Sequence, residues 1–272
     1  MRSSTEKIKG TFKKNVNLMS LPLMSILPGQ ISFFVILSII PLLSIIVMII
    51  SRLSLNFEMI TLVVSHYLPK GVTDIILGIL EEQKAGVIDL LFMITAFYLA
   101  SKATHSIVVA STQIYHGRQR NFLRTRIKAI LMLIILIFLV IFIISVLTIG
   151  SRLVTYLSGV SMSINPYIST VYNILKWPFV FFMIFVVIKV IYTVAPNVEI
   201  PSRSVNKGAL FTTCIWVFST YVYSFYVTNI ANYSKFYGNL SNIIMLMIWI
   251  YWLCYIFVYG MTINEDQLKN NN

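Results

Sequence analysis

From residue 15 to residue 51 the chain carries no charged side chain, and inside that stretch ISFFVILSIIPLLSIIVMII (residues 31–50) is long enough to cross a bilayer as one helix. Such a run commits the chain to a membrane. A helix pairs its backbone polar groups within the segment, so it can leave water without stranding them. A secretory signal would be shorter and would end in a small-residue cleavage site, so this run is expected to be retained. Pro41 stands near its middle, where the missing N–H predicts a kink, serving either packing or a gating hinge.

Five further apolar stretches occur, at about 86–111, 129–150, 172–195, 208–230 and 239–262, the third of these ending at Pro196. Composition agrees: 58% of residues are hydrophobic and 11% charged, against about 25% charged in soluble domains. The mean hydropathy is +0.84. Between the first two spans, LSLNFEMITLVVSHYLPKGVTDIILGILEEQ has apolar pieces too short to cross and reads as two short amphipathic helices broken at Pro69 and Gly71. The stretch 153–169, with Asn165 and Pro166, reads as a surface loop. Cys214 and Cys254 both fall in apolar runs, with neither zinc-site spacing nor the density of a disulfide scaffold, and are expected as buried small hydrophobes.

Lys and Arg in short loops set orientation. Arg2, Lys7, Lys9, Lys13 and Lys14 precede the first span; Arg118, Arg120, Arg124, Arg126 and Lys128 lie between the second and third; Arg203 and Lys207 lie between the fourth and fifth. The loop after the fifth span holds only Lys235. The expected fold is therefore an all-α membrane protein, a six-transmembrane-helix bundle with both termini cytoplasmic and short amphipathic helices in the N-terminal segment and first outer loop. Its parts are a basic amphipathic N-terminal segment (1–26), a single transmembrane domain (27–264) and a short polar tail (265–272). Ile8, Phe12, Val16 and Met19 share one helical face among lysines, which suits an interfacial helix on anionic lipid. The net charge of +12 is thus accounted for by topology, and no nucleic-acid partner is expected. The expected partners are membrane lipids, with anionic headgroups at the basic cytoplasmic segments, and an unidentified energy-coupling or envelope protein; the oligomeric state stays open.

Ionisable residues placed deep in hydrocarbon concentrate on the second span: Asp89 near its outer end, then Lys102 and His105. At 100° per residue Thr95, Tyr98, Lys102, His105, Ser106 and Gln113 share one face, and Asp89 falls off it. A mid-membrane lysine costs about 3 kcal/mol on insertion scales, so Lys102 should face a polar cavity or else snorkel to the cytoplasmic interface. The fifth span supplies a second polar surface in Thr212, Thr213, Ser219, Thr220, Tyr223, Ser224, Tyr226, Thr228 and Asn229. That face is either water-accessible or helix-packing glue. Thr95, Tyr98, Lys102, His105, Thr220, Tyr223 and Asn229 are the candidate cavity residues. On the sixth span Trp249, Tyr251, Trp252 and Tyr255 are expected to pack in the core.

Several pieces occur in an order that resembles the YihY/BrkB family of bacterial inner-membrane proteins, across about residues 28–264. PGQISFFVILSIIPLL, with Ser38 and Pro41, is similar to the family's first span, and TAFYLASKATHSIVVASTQIYH, with Ser101, to its second. Gln113 stands where the family would place Asn. Trp177, Tyr192, Pro196, Asn197, Gly208 and Trp216 match in order, as do Tyr226, Asn229, Ala231, Tyr233, Tyr237, Gly238, Trp249 and Tyr251. Ser38, Pro41, Ser101, Pro196, Gly208, Trp216, Asn229, Tyr233, Tyr237, Gly238 and Trp249 are accordingly expected to hold structural roles. Gly238 permits a tight turn, and Asn229 can cap the carbonyls released at the end of the fifth helix.

The resemblance also brings the label ribonuclease BN. A metal-dependent nuclease needs clustered His and Asp ligands, whereas His66, His105 and His116 are far apart, so no catalytic residue, metal or cofactor is expected. Transport of a lipid or amphiphile, with a cavity walled by the second and fifth spans, is the preferred reading, and an envelope scaffold is the alternative. There is no phosphate-binding glycine loop, so active transport would draw on an ion gradient or a partner.

Overall fold

The computed structural model describes residues 22–52, 90–117, 121–160, 165–229 and 240–271. The expected N-terminal interfacial helix, the two short helices of the first outer loop, Asp89, and the turn with Tyr233, Tyr237 and Gly238 lie outside the described residues. Most of those described are helical, with no strand among them. They form α1 (Pro22–Arg52), α2 (Leu90–Ile114), α3 (Phe122–Val160), α4 (Asn165–Val194), α5 (Asn206–Asn229) and α6 (Leu240–Asn271).

Four of these hold stretches long and apolar enough to cross a membrane by length and composition: Phe122–Leu147, Thr170–Val194, Asn206–Tyr226 and Ile243–Lys269. α1 contributes a shorter apolar stretch, Leu23–Ile39. In α2 the apolar pattern is interrupted by Ser101, Lys102, Thr104, His105, Ser106, Ser111 and Thr112. Against an expectation of six spans, four therefore qualify among the described residues.

Local chemistry sets most helix ends. α1 starts at Pro22, whose absent N–H is harmless in a first turn, and stays helical through Pro28 and Pro41, while Ser32 and Ser38 donate to the Gly29 and Val35 carbonyls. α4 stops two residues before Pro196, which cannot continue it. α2 ends in a Schellman arrangement, with Gly117 N–H donating to Thr112 O at 2.8 Å and His116 N–H to Gln113 O at 3.2 Å. The left-handed position there is occupied by His116, at φ 51°, where glycine is usual.

Two boundaries differ from the expectation. The stretch 153–169, expected as a surface loop, is helical over most of its length, because α3 continues to Val160 and α4 begins at Asn165. Pro166 lies in the first turn of α4, where it initiates a helix and does not break one. The polar residues 265–271 are the last turns of α6 and not a separate tail.

The helices pack in a ring: α1 against α2 and α6, α6 against α5, α5 against α4, α4 against α3, and α3 against α2. α2 and α5 are not among the extensively packed pairs. The main core gathers Met24, Leu27 and Ile31 of α1, Val108 of α2, Ile188 and Tyr192 of α4, and Phe257, Val258 and Met261 of α6. A smaller cluster joins Ile45, Ala96, Ala100, Leu133, Ile137 and Ile141. Phe138, Phe142, Phe182 and Phe218 point outward, as side chains meeting lipid should. Cys254 is buried, but Cys214 is exposed on α5, contrary to expectation, because it lies on the outer face of its helix.

Candidate functional site

A pocket of about 320 Å³ opens among five helices. Val35, Ile39 and Leu42 of α1, Ile107 of α2, Ile191 of α4, Trp216 of α5 and Trp249, Ile250 and Phe257 of α6 contribute to its lining. Its size is at the low end of the range for small-ligand pockets, about 300–1,000 Å³. The lining is apolar, so the pocket suits hydrocarbon. The buried Trp249 indole N–H has no hydrogen-bond partner among the described residues.

Below the pocket, α5 and α6 approach so closely that neither Gly208 nor Gly260 has room for a methyl group. A Cβ on Gly260 would lie 2.0 Å from Thr212 Oγ1 and 2.4 Å from the Tyr192 hydroxyl. A Cβ on Gly208 would lie 2.1 Å from the Gly260 carbonyl. Polar groups fasten this crossing. The Tyr192 hydroxyl bonds Thr212 Oγ1 at 2.8 Å and donates to Phe257 O at 2.7 Å; Gly208 N–H donates to Asn264 Oδ1 at 2.7 Å; Trp216 Nε1 donates to Leu253 O at 2.8 Å.

The same end of the bundle collects three polar junctions. Asn197 N–H donates to Thr112 Oγ1 at 3.2 Å, and the Lys128 ammonium to the Pro196 carbonyl. The Glu265 carboxylate lies 2.6 Å from Lys269 Nζ and 3.3 Å from His116 Nε2. The α2–α3 connection, the α4–α5 connection and the C-terminal turns of α6 thus meet. Burial pushes the nearby Tyr115 hydroxyl above its usual range, opposed by the Asn264 amide and reinforced by Glu265.

The candidate residues of α2 lie elsewhere. Thr95 and Tyr98 are exposed, and Lys102 and His105 half-buried. Lys102 Nζ lies 5.4 Å from the centre of the Tyr98 ring, and the His105 ring meets that of Phe122 at 6.0 Å. Thr104 Oγ1 donates to Ala129 O at 2.8 Å. Residues 98–105 therefore run beside the first two turns of α3, where Arg124, Arg126 and Lys128 precede its apolar run. Lys102 is at the basic margin of the bundle, not opposite the middle of α3. It does not line the pocket.

The polar surface of α5 is consumed largely by packing. Thr212, Thr213 and Ser219 are buried; Thr213 and Thr220 donate to carbonyls one turn back, at Ala209 and Trp216, and Ser219 Oγ accepts from Trp252 Nε1 at 3.0 Å. Tyr223 is half-buried and stacks on Trp249 at 5.7 Å. Asn229 is the last residue of α5, and its side chain lies outside those described. The aromatic cluster of α6 divides: Trp249 turns into the pocket, whereas Tyr251 and Trp252 are exposed. Ser38, Pro41 and Ser101 are buried between α1, α2 and their neighbours.

Sequence reasoning did not single out the pairing of Gly260 with Gly208, the amide of Asn264, or Arg126 as a packing residue. A lone glycine after Tyr259, in an otherwise apolar and aromatic span, is the one available signal for Gly260. Among the described residues no group of three or more His, Cys, Asp or Glu comes together that could hold a metal ion.

Apolar helices that repeatedly qualify to cross a bilayer, packed in a ring with lipid-facing aromatics, define a multi-pass membrane protein. Residues 24–271 match the family described as Virulence factor BrkB, and the chain belongs to that bacterial membrane-protein family. It is 26% identical over 241 residues to YfkH of Bacillus subtilis (strain 168), provisionally named a ribonuclease-like protein, with 87% of each chain covered. It is also 27% identical over 125 residues to a UPF0761 membrane protein of Idiomarina loihiensis, covering 44% of each. A UPF0761 membrane protein of Yersinia pestis (strain Pestoides F) is 32% identical over 73 residues, covering 27% of this chain and 25% of that one. No solved structure matches.

Proposed function

We propose that this protein is a transporter or translocase of a lipid or other amphiphile, without catalytic chemistry of its own, built from six spans with both termini in the cytoplasm. The observation that carries this reading is the apolar pocket of about 320 Å³ among five helices. A hydrocarbon chain fills such a space favourably. The meeting of three polar connections at one end of the bundle agrees with the charge-derived orientation, in which all three are cytoplasmic. Transport against a gradient would draw on an ion gradient or a partner protein.

The use of Thr212, Thr213 and Ser219 in helix packing favours the second reading, an envelope scaffold. Reconstitution separates the two. Proteoliposomes carrying a fluorescent headgroup-labelled phospholipid should scramble it with the wild-type protein, lose scrambling with Ile39→Trp, which fills the pocket, and keep it with Ile94→Trp on the outer face of α2. Wild-type vesicles indistinguishable from empty ones in both lipid scrambling and amphiphile uptake would remove the transport reading and leave the scaffold.

A further inference from the structure

One aromatic ring on the outside of the bundle carries two cations. The Arg126 guanidinium lies 4.5 Å from the centre of the Tyr98 ring, and the Lys102 ammonium 5.4 Å from the same centre. Tyr98 is 54% exposed, so this cluster is at the surface. Arg126 is held in place by donation to the Tyr98 carbonyl at 3.1 Å and by a longer contact to the Ser101 carbonyl at 3.5 Å. A guanidinium has five N–H groups, so most of its donors stay available after those contacts. Neither Lys102 nor Arg126 is paired with a carboxylate among the described residues; Glu265 is engaged elsewhere, by His116 and Lys269.

Two positive charges on one ring, without a carboxylate partner among the described residues, repel each other, and the arrangement gains most from an anion that touches both. The surroundings say which kind. Phe122 and Leu123 are each 72% exposed and Ile127 57%, on the same turns of α3 that present Arg126. They continue into the outward apolar surface of that helix, Leu131 and Phe138. A soluble anion would meet the charges but gain nothing from these side chains. A phospholipid meets both, its phosphate on the cations and its acyl chains along α3. The level is right as well, because this cluster lies where the basic turns of α3 give way to its apolar run, which is where a headgroup lies.

We propose that Lys102, Arg126 and Tyr98 form a binding site on the lipid-facing surface of α2 and α3 for the phosphate of an anionic phospholipid, in the leaflet next to the α2–α3 connection. The guanidinium takes phosphate oxygens through its free N–H groups, Lys102 adds a second charge-assisted donor, and the Tyr98 ring fixes the spacing of the two. The site is separate from the pocket and is the same whether the protein transports or scaffolds.

The test is native mass spectrometry of the full chain purified in detergent, titrated with phosphatidylglycerol or with phosphatidylcholine in mixed micelles. Phosphatidylglycerol should be retained in preference to phosphatidylcholine. Lys102→Met and Arg126→Met should each weaken its retention about fivefold, and the double variant about thirtyfold, with phosphatidylcholine unaffected. Arg126→Lys should recover part of the loss. Among the described residues Lys102 makes no hydrogen bond between helices, so Lys102→Met decides the matter even if Arg126→Met does not fold. Equal retention of the two lipids by the wild type, or undiminished retention of phosphatidylglycerol by folded Lys102→Met, would overturn the proposal. So would complete displacement of the lipid by inorganic phosphate, which would assign the cations to a soluble anion.

Discussion

Replacing Gly260 with alanine sets two known effects against each other. In a helix interior the change ordinarily stabilises by about 1 kcal/mol, through backbone entropy. Here the new methyl would sit 2.0 Å from Thr212 Oγ1, 2.4 Å from the Tyr192 hydroxyl and 3.0 Å from the Gly208 carbonyl. One of these neighbours is backbone, so relief must come from spreading α5 and α6 or from moving Thr212 and Tyr192. Overpacking of that kind costs about 1–3 kcal/mol. Displacing Thr212 also breaks its 2.8 Å bond to the buried Tyr192 hydroxyl, adding about 1–3 kcal/mol. With the propensity gain subtracted, the expected loss is about 3 kcal/mol. For a chain of this size that is roughly 6–12 °C in apparent melting temperature. The assay is thermal unfolding in detergent, monitored as loss of the monodisperse gel-filtration peak, with Gly29→Ala as internal control. Gly29 is also helical but has nothing within 4 Å of its would-be Cβ, so its replacement should leave stability unchanged or slightly raised. Gly260→Ala melting with or above Gly29→Ala would refute the close approach of the two helices.

Two further outcomes are expected. Single cysteines at Arg120 and Lys235, in a background lacking Cys214 and Cys254, should label with an impermeant maleimide from opposite faces of the membrane; labelling from one face would overturn six spans. His116→Gly should leave stability unchanged or raise it by up to about 1 kcal/mol in thermal unfolding, since it removes a left-handed side-chain penalty and gives up only the contacts of an exposed imidazole with Glu265 and Lys269; a marked fall would mean that these contacts fasten α2 to α6.

Family, membrane residence and helical class were legible in the chain itself, because transfer of a segment from water to lipid depends on its summed apolar surface and on little else. Order along the chain carries that information, and so does Pro196, which ends α4; Pro166, which begins it, reads from sequence as part of a loop. Depth and facing are different quantities. Counted along its own helix, Lys102 reads as deep. Its level is set by where α3 starts, opposite His105, and that register depends on the short connection between α2 and α3 and on the fit of Thr104 against Ala129. Cys214 and Trp252 lie in runs as apolar as their buried neighbours, and only the rotation of α5 and α6 against the ring turns them outward. The same holds for the two glycines. A sequence shows that Gly208 and Gly260 lack side chains, but the reason for that lack is the other helix, which tertiary packing alone brings to within the width of a methyl group.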